Sequence, residues 1–338
     1  LKQVCALLLA LPLLIASSIA QGNDFPTAAP EDVGVSSERL QRLSNTMQRY
    51  IDSNMLAGTV SLVSRNGKVI HVESQGWKNK ENDEPMTDDS IFVIMSMTKP
   101  IVSTALMMLY EEGNFLLTDP ITDWIPELEG KQVVIEEDGI NYRMSAHRPI
   151  TFRHVLSHTA GVDPSREALS EEELTLLPRK ATLEETIINR APLPLSFHPG
   201  DDWQYGSSTD YVALLVERIS GQSLVDYLQE KILDPLKMHD TSYIVPKDKI
   251  DRVAAVYSPS GPNQTIKLFR ETEYRQTTYF GGVAGLSSTV SDYWRFSQML
   301  LNGGELDGVR LLSPKTVNLM ISNHSGENDV YIRGPGYT

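Results

Sequence analysis

The stretch SIFVIMSMTKPIVSTALMML at residues 90–109 decides the fold. Apolar residues lead to Ser96, and Lys99 follows three positions later. After Pro100 the apolar residues recur at helical spacing, which predicts a helix that ends before Gly113. Proline is tolerated in the first turn of a helix, where its missing N–H has no partner to lose. The helix is therefore predicted to begin at or just after Ser96.

This placement brings a hydroxyl and an amine together at the start of a helix. Residues i and i+3 share a helix face, so the Lys99 amine can lie beside the Ser96 hydroxyl. A serine needs a neighbouring base to act as a nucleophile, and a lysine in an apolar pocket loses part of its preference for the charged form. The free N–H groups of the first helical turn suit an oxyanion. The bland alternative is a capping serine beside a solvated lysine.

Composition excludes several classes of function. The chain has 338 residues, 41% of them hydrophobic and 22% charged, which is typical of a globular protein. Its net charge of −14 argues against binding to nucleic acid or to anionic membranes. The sequence contains no Gly-x-Ser-x-Gly, no Walker-type phosphate loop and no dinucleotide fingerprint. The sequence therefore indicates neither a bound cofactor nor the nucleophile elbow of the α/β-hydrolases.

Residues 1–20 read as a secretory signal peptide. Lys2 precedes an apolar run over 4–15, and Ser18-Ile19-Ala20 supplies small residues for cleavage. The alternative is a membrane anchor, but about 20 apolar residues are needed to span a bilayer. We therefore expect an exported protein, periplasmic or secreted, without stable membrane insertion. The single cysteine, Cys5, lies in this segment, so the mature chain is expected to lack disulfides and thiolate chemistry.

The residues that follow predict a linker, a helix and a hairpin. The segment 21–35 is polar with two prolines and is predicted to be a linker. Ser36 or Ser37 can cap the first helix. Alternating residues on both sides of Asn66-Gly67 predict a hairpin with a two-residue turn.

Helices and loops are predicted for the segment from about 114 to 280, and further helices after it. The order of the predicted elements is a hairpin and a helix, then a helical middle, and then a C-terminal part that packs again on the first elements. This order indicates an α+β fold, with an antiparallel sheet flanked by helices and a helical insertion. The whole of 36–338 is predicted to form one domain. The predicted helix caps are Thr151, for a helix through His154 to His158, then Ser208, Ser223, Thr289 and Ser313.

Three further groups of residues allow more than one interpretation. His154 and His158 are spaced as two metal ligands on one helix face, although packing and hydrogen bonding are the simpler roles. The glycine-rich segment 281–285 is interpreted as a tight turn, with backbone near the active site as the alternative. A Ser-His-Asp triad drawn from the seven histidines stays open.

Tyr205 lies in a loop that leads into a predicted helix. A tyrosine at such a position usually serves packing. Its phenol has an ordinary pKa of about 10, which a neighbouring lysine cation lowers, and the phenolate is then a plausible base.

Several stretches together resemble the serine β-lactamases and penicillin-binding proteins, and within them the class C β-lactamase and family VIII esterase branch. The resemblance covers about residues 36 to 322, and the motifs come in the family's order. The resembling stretches are Ser96-Met97-Thr98-Lys99-Pro100, LLTDPITDWIPE at 116–127, LSHTAGV at 156–162, PGDDWQY at 199–205, DPLKMHDT at 234–241, and 281–296.

The resemblance implies a β-lactamase/transpeptidase-like fold and a set of site residues. Ser96 would be the acylated nucleophile, with its own backbone N–H as one oxyanion donor. Lys99 and Tyr205 would share the removal and return of the proton. Ser207 stands where the family often has a substrate-binding asparagine, which weakens the antibiotic interpretation and favours the esterases of the branch.

The family's third motif is not found after Tyr205. The resemblance implies that this motif, a second oxyanion donor and the last sheet strands lie beyond Thr338. The chain is therefore expected to be truncated at its C-terminus, and residues 21–338 alone are expected to fold poorly and to be inactive.

The hypothesis is an exported serine hydrolase that forms an acyl-enzyme on Ser96, most simply a carboxylesterase acting on small esters. A β-lactamase or D-Ala-D-Ala carboxypeptidase is the alternative, with a small-molecule amide as substrate. A non-catalytic binding protein on the same scaffold is a second alternative. A metal-dependent hydrolase built on His154 and His158 is a third. The oligomeric state and the natural substrate stay open.

Overall fold

The computed structural model describes residues 25–260, 265–270, 276–328 and 330. The predicted signal peptide at 1–20 lies outside these residues. Within them, no helix combines the length and the apolar character that crossing a bilayer requires.

The first elements are a helix and a hairpin. Helix α1 spans Ser37–Asp52, and the Ser36 hydroxyl accepts the Arg39 N–H, as an N-cap should. Strands β1 (Gly58–Arg65) and β2 (Lys68–Asn79) pair antiparallel across the turn at Asn66-Gly67, where both residues have positive φ. The predicted hairpin is confirmed. Strand β3 (Glu84–Pro85) pairs with β2 to complete a three-stranded antiparallel sheet.

The segment before α1 contacts both the hairpin and the C-terminal part of the chain. Thr27 bridges to Val69 on β2, and the Phe25 ring packs edge-on against Trp294. Residues 30–33 form one 3₁₀ turn, which ends at Gly34.

The stretch around Ser96 forms a strand, a turn and a helix in succession. Strand β4 (Phe92–Val93) leads into a 3₁₀ turn at Met95–Met97, and helix α2 runs over Thr98–Glu111. Pro100 lies in the first turn of α2, and Gly113 follows the helix with a φ of +83°. The predicted start and end of this helix are confirmed.

The middle of the chain contains two β-hairpins that the sequence analysis did not predict. They are β5 (Gln132–Glu137) with β6 (Ile140–Ser145), and β7 (Val256–Ser260) with β8 (Thr265–Arg270). The segment was predicted to be mostly helix and loop, and these four strands are additions to that prediction. The helices of this segment are α3 (Phe152–Leu156), α4 (Glu171–Leu174), α5 (Leu183–Arg190), α6 (Ser208–Ser220) and α7 (Leu224–Leu228), the last followed by a π turn over Gln229–Leu233.

Two helix boundaries differ from the prediction. Thr151 caps α3 as predicted, but this helix ends at Leu156 and does not reach His158. Helix α6 already includes Ser208, and the preceding residue, Ser207, occupies the cap position without accepting a helix N–H. The reason is chemical: the Ser207 hydroxyl donates instead to the carboxylate of Asp163.

The C-terminal part returns to the strand beside Ser96. Strand β9 (Ser287–Ser288) pairs antiparallel with β4. The remaining elements are α8 (Val290–Leu301), β10 (Glu305–Leu306), β11 (Val309–Arg310) and α9 (Pro314–Met320). The predicted caps Ser223, Thr289 and Ser313 each accept a backbone N–H of the helix that follows.

The core lies between α2 and α6, which pack against each other. Ile101 and Ala105 of α2 and Val212 and Leu215 of α6 are completely buried in one continuous apolar cluster. Burial of one such aliphatic side chain contributes about 1.5–3 kcal/mol, so several together hold the two helices firmly. Mixed helices and antiparallel strands confirm the α+β class. The candidate site forms at the starts of these two helices, α2 and α6, where Ser96 and Tyr205 are exposed in the segments that precede them.

Candidate active site

Ser96 is exposed at the solvent end of α2, on the 3₁₀ turn that precedes the helix. Its neighbours Met95 and Met97 are 52% and 47% exposed. Met95 has a φ of +47°, which is a strained conformation for a residue with a side chain. Flanking hydrogen bonds hold the turn: the Ile94 N–H donates to the Leu286 carbonyl at 3.0 Å. A reactant can therefore approach Ser96 from solvent while its backbone stays fixed.

Lys99 is buried beneath this hydroxyl, with 9% of its surface exposed. Its Nζ donates to Ser96 Oγ at 3.0 Å and to the Val283 carbonyl at 3.0 Å. The alternative of a capping serine beside a solvated lysine is wrong, because the lysine is buried and Met97 occupies the cap position of α2.

Tyr205 completes the group from the loop before α6. Lys99 Nζ lies 4.6 Å from the centroid of its ring, and the side chain is 39% exposed. Burial raises the pKa of Tyr205, but its interactions with Lys99 and Ser96 and the lysine charge lower that pKa by more, so it lies below the ordinary value. The structure therefore brings Ser96, Lys99 and Tyr205 together.

Ser207 is bound to Asp163 through both its backbone N–H and its hydroxyl. The Ser207 N–H donates to Asp163 Oδ2 at 2.7 Å, and its hydroxyl donates to Oδ1 at 2.6 Å. A Cβ on the intervening Gly206 would stand 2.0 Å from Asp163 Oδ2. The loop after Tyr205 is thus clamped to Asp163, and the Ser207 hydroxyl serves that clamp.

His158 faces the ring of Tyr205, with the two ring centroids 5.0 Å apart. Its backbone has a φ of +60°, and its carbonyl accepts the Gln204 N–H at 2.9 Å. Burial, and then the charge of Lys99, lower its pKa from 6.5 to about 4. The imidazole is therefore neutral at neutral pH and adds no second positive charge beside Lys99.

The two histidines considered as metal ligands do not share a helix face. His154 lies inside α3, where its Nδ1 accepts the Thr151 N–H at 3.1 Å, whereas His158 lies beyond the end of the helix. In the described part of the chain, no three His, Cys, Asp or Glu side chains are grouped so that they could hold a metal ion.

The glycine-rich segment 281–285 lies against the site, as the alternative interpretation had it. The Val283 carbonyl accepts from Lys99, and the Leu286 N–H donates to Thr98 Oγ1 at 3.3 Å. Sequence reasoning did not identify Val283, Asp163 or His158 as neighbours of the site. The glycines on either side of Val283 were a signal that its backbone lies close to the site. His158 belongs to the resembling stretch at 156–162, and Asp163 is the next residue after that stretch.

Two open cavities flank the group. One of about 490 Å³ is lined by Tyr205, Trp203 and Phe197 and by side chains of the β5–β6 hairpin. The other, of about 620 Å³, reaches Met95 and Gly285. Tyr205 lines the first cavity and Met95, the neighbour of Ser96 in the chain, lines the second, and each cavity has the size of a small-molecule site.

The chain is similar to several known proteins. The family model described as Beta-lactamase matches residues 43–330. An uncharacterised protein of Mycobacterium tuberculosis is 32% identical over 279 residues, which cover 81% of this chain and 70% of that protein. Esterase EstB of Burkholderia gladioli is 27% identical over 281 residues, 75% of this chain and 68% of EstB. The solved structure of EstCE1, described as a hydrolase with promiscuous acyltransferase activity, matches with a TM-score of 0.70 and 24% identity over 84% of this chain and 77% of its own.

Proposed function

This chain belongs to the beta-lactamase family, and from that premise we propose that it is a serine hydrolase whose substrates are small carboxylic esters. The observation that carries the proposal is the contact of the buried Lys99 amine with the exposed Ser96 hydroxyl, with the Tyr205 ring 4.6 Å from that amine. The likeness to EstB, whose name describes an esterase, supports the choice of ester over amide.

The proposed reaction follows from the positions of these groups. Tyr205, with its lowered pKa, takes the Ser96 proton either directly or through Lys99. The Ser96 oxygen attacks the ester carbonyl, and the Ser96 N–H at the start of the turn stabilises the oxyanion. The intermediate collapses to an acyl-serine as the leaving alcohol takes the proton back. Water, deprotonated by the same base, then releases the carboxylic acid and the free serine.

The position of Ser207 supports ester hydrolysis over β-lactam hydrolysis. Its hydroxyl is engaged by Asp163 at 2.6 Å, so no free side-chain amide or hydroxyl stands at this position for a β-lactam side chain. A site that lacks a polar partner for a substrate group discriminates against that substrate.

The test compares two substrates. p-Nitrophenyl butyrate and a chromogenic cephalosporin are assayed side by side with the full-length protein and with its Ser96→Ala variant. We expect ester turnover that falls by about 1,000-fold or more in Ser96→Ala, and little cephalosporin turnover.

Other results would identify the alternatives. Preferential cephalosporin turnover would indicate a β-lactamase or a D-Ala-D-Ala carboxypeptidase. Ester turnover that survives in Ser96→Ala would mean that another residue is the nucleophile. Absence of turnover with both substrates would favour a binding protein on the same scaffold.

Export is part of the proposal. The positive start, the apolar run over 4–15 and the small residues Ser18-Ile19-Ala20 support it. We expect the protein expressed with residues 1–20 to be recovered outside the cytoplasm, with an N-terminus near Gln21. Recovery of the uncleaved chain in the cytoplasm would overturn this part of the proposal.

A further inference from the structure

The direction of the Lys99 amine depends on a backbone carbonyl. Lys99 Nζ contacts two oxygens at 3.0 Å, the Ser96 hydroxyl and the Val283 carbonyl. A lysine side chain has several rotatable bonds, so a second fixed acceptor is needed to aim the amine at the serine. The position of Val283 therefore sets the geometry of the proposed proton transfer.

Asp210, in the first turn of α6, binds the same residue from the other side. Its Oδ1 accepts the Val283 N–H at 3.0 Å, and its Oδ2 accepts the Tyr279 hydroxyl at 2.8 Å. Asp210 is 6% exposed, and both carboxylate oxygens are used. Val283 is thus held through its N–H by Asp210 and holds Lys99 through its carbonyl.

The packing of two glycines shows independently that this loop is pressed against the start of α6. A Cβ on Gly281 would lie 2.8 Å from Asp210 Oδ1, and one on Gly282 would lie 2.0 Å from the Thr209 carbonyl. Both distances are too short for any residue with a side chain. The Tyr243 hydroxyl adds a third attachment, to the Gly281 carbonyl at 2.7 Å.

We propose that Asp210 is a positioning residue for catalysis, which acts by fixing Val283 so that its carbonyl aims the Lys99 amine at Ser96. Asp210 makes no contact with Ser96 or Lys99 among the hydrogen bonds described, so its effect is transmitted through the loop. The inference rests on the proposed function, because it concerns the amine that activates Ser96.

The chain offers a matched control in Asp292. This residue lies in the first turn of α8, is 7% exposed, and accepts the Asp240 N–H at 2.8 Å and the Thr241 hydroxyl at 2.9 Å. Asp210→Asn and Asp292→Asn each remove one buried carboxylate that ties a loop to a helix by one backbone N–H and one hydroxyl. The two variants should lose comparable stability, but only one of them touches the Lys99 acceptor.

The experiment measures activation of Ser96 in two ways, as the rate of labelling by a fluorophosphonate and as turnover of p-nitrophenyl butyrate. For Asp210→Asn we expect both rates to fall by about 10- to 100-fold, as a small misplacement of a reacting group does. KM should stay within about threefold, since substrate binding is not altered. The pH dependence of labelling should also shift in Asp210→Asn, whereas Asp292→Asn should keep the wild-type rates and pH profile.

Equal effects of Asp210→Asn and Asp292→Asn on the labelling rate would overturn the inference. If Asp210→Asn does not fold, Tyr279→Phe decides, because it removes the hydroxyl that anchors the Asp210 carboxylate and so loosens the hold of that carboxylate on the Val283 N–H. A labelling rate about 3- to 10-fold below wild type would support the inference, and an unchanged rate would overturn it. Labelling measures the activation of Ser96 whatever the natural substrate is. If the protein did not hydrolyse esters, that result would overturn the proposed function without deciding the role of Asp210.

Discussion

At the scale of single residues, the site combines an exposed hydroxyl with a buried amine. Ser96 faces solvent, whereas Lys99 is 9% exposed and keeps two oxygen contacts. This division suits the proposed acyl transfer, because a nucleophile must meet the substrate while the amine beside it must hold one position. The Tyr205 phenol lies between these extremes at 39% exposed and can exchange protons with water.

The lowered pKa of Tyr205 predicts a pH profile. Because the phenolate is the active form in the proposed mechanism, kcat/KM should rise with pH and level off above an apparent pKa that lies below the ordinary tyrosine value. Tyr205→Phe should remove this rise of kcat/KM with pH and lower the rate by about 100-fold or more. Initial rates with p-nitrophenyl butyrate, corrected for the uncatalysed reaction, measure both. If kcat/KM of Tyr205→Phe rose with pH as it does in the wild-type protein, the titrating group would be another residue.

Ser207→Ala separates two roles for this residue. The variant loses the hydroxyl bond to Asp163 and keeps the backbone N–H bond. If the hydroxyl serves only the clamp, we expect a loss of about 1 kcal/mol of stability and an unchanged KM. A large rise in KM at wild-type stability would instead restore the substrate-binding role. Thermal unfolding and steady-state kinetics on the same sample distinguish the two.

At this scale, residue spacing predicted the local partners and the family resemblance added Tyr205, but the other distant partners were missed. Ser96 and Lys99 are three residues apart, so helix geometry alone could place them together. Asp163 and Asp210 act across 44 and 73 residues of chain, on Ser207 and Val283. No periodicity joins such partners, and only the folded packing of the loops shows them.

At the scale of elements, the sequence predicted helix starts and turns reliably where a capping side chain or a positive φ is required. The caps at Thr151 and Ser223 and the turn at Asn66-Gly67 were predicted because the side chain or the positive φ is a local requirement. The β5–β6 hairpin was missed for a physical reason. Every residue of β6 is exposed, so that strand has no buried face to impose an alternation of apolar and polar residues.

Gly161 and Gly130 form a matched pair that tests close approach of the backbone. Their φ values are +69° and +67°, but a Cβ on Gly161 would lie 2.8 Å from the Phe197 carbonyl, whereas Gly130 has open space. Both alanine variants should lose about 1 kcal/mol from backbone strain, and Gly161→Ala should lose at least 1 kcal/mol more. Urea unfolding of the two variants measures the difference. Equal losses would show that the loop around Gly161 relaxes freely.

At the scale of the whole molecule, two partly buried histidines make the folding stability depend on pH. Burial is the largest cause that lowers the pKa of His154, and of His158, from 6.5 to about 4. Between these values the unfolded chain binds protons that the folded chain does not. Stability should therefore fall as the pH is lowered from about 6.5 to about 4, and these two groups should contribute no change above that range.

Urea unfolding at several pH values checks this expectation. A His154→Gln/His158→Gln variant should show a shallower decline of stability between pH 6.5 and 4 than the wild-type chain does. Loss of both titrating groups removes their proton uptake whatever it does to the absolute stability. An identical slope in the two proteins would assign the acid sensitivity to carboxylates.

The two methionines beside Ser96 give the molecule a vulnerability to oxidants. Met95 and Met97 are 52% and 47% exposed, and peroxide converts such thioethers to polar, bulkier sulfoxides. The sole cysteine is Cys5, so past that residue the thioethers are the sulfur groups open to oxidation. We expect peroxide to reduce ester turnover in step with sulfoxide formation at these positions, a methionine sulfoxide reductase to restore it, and Met95→Leu/Met97→Leu to resist. Mass spectrometry of the treated protein locates the added oxygen. We therefore expect the reactivity of Ser96 to depend on the oxidation state of the two thioethers beside it.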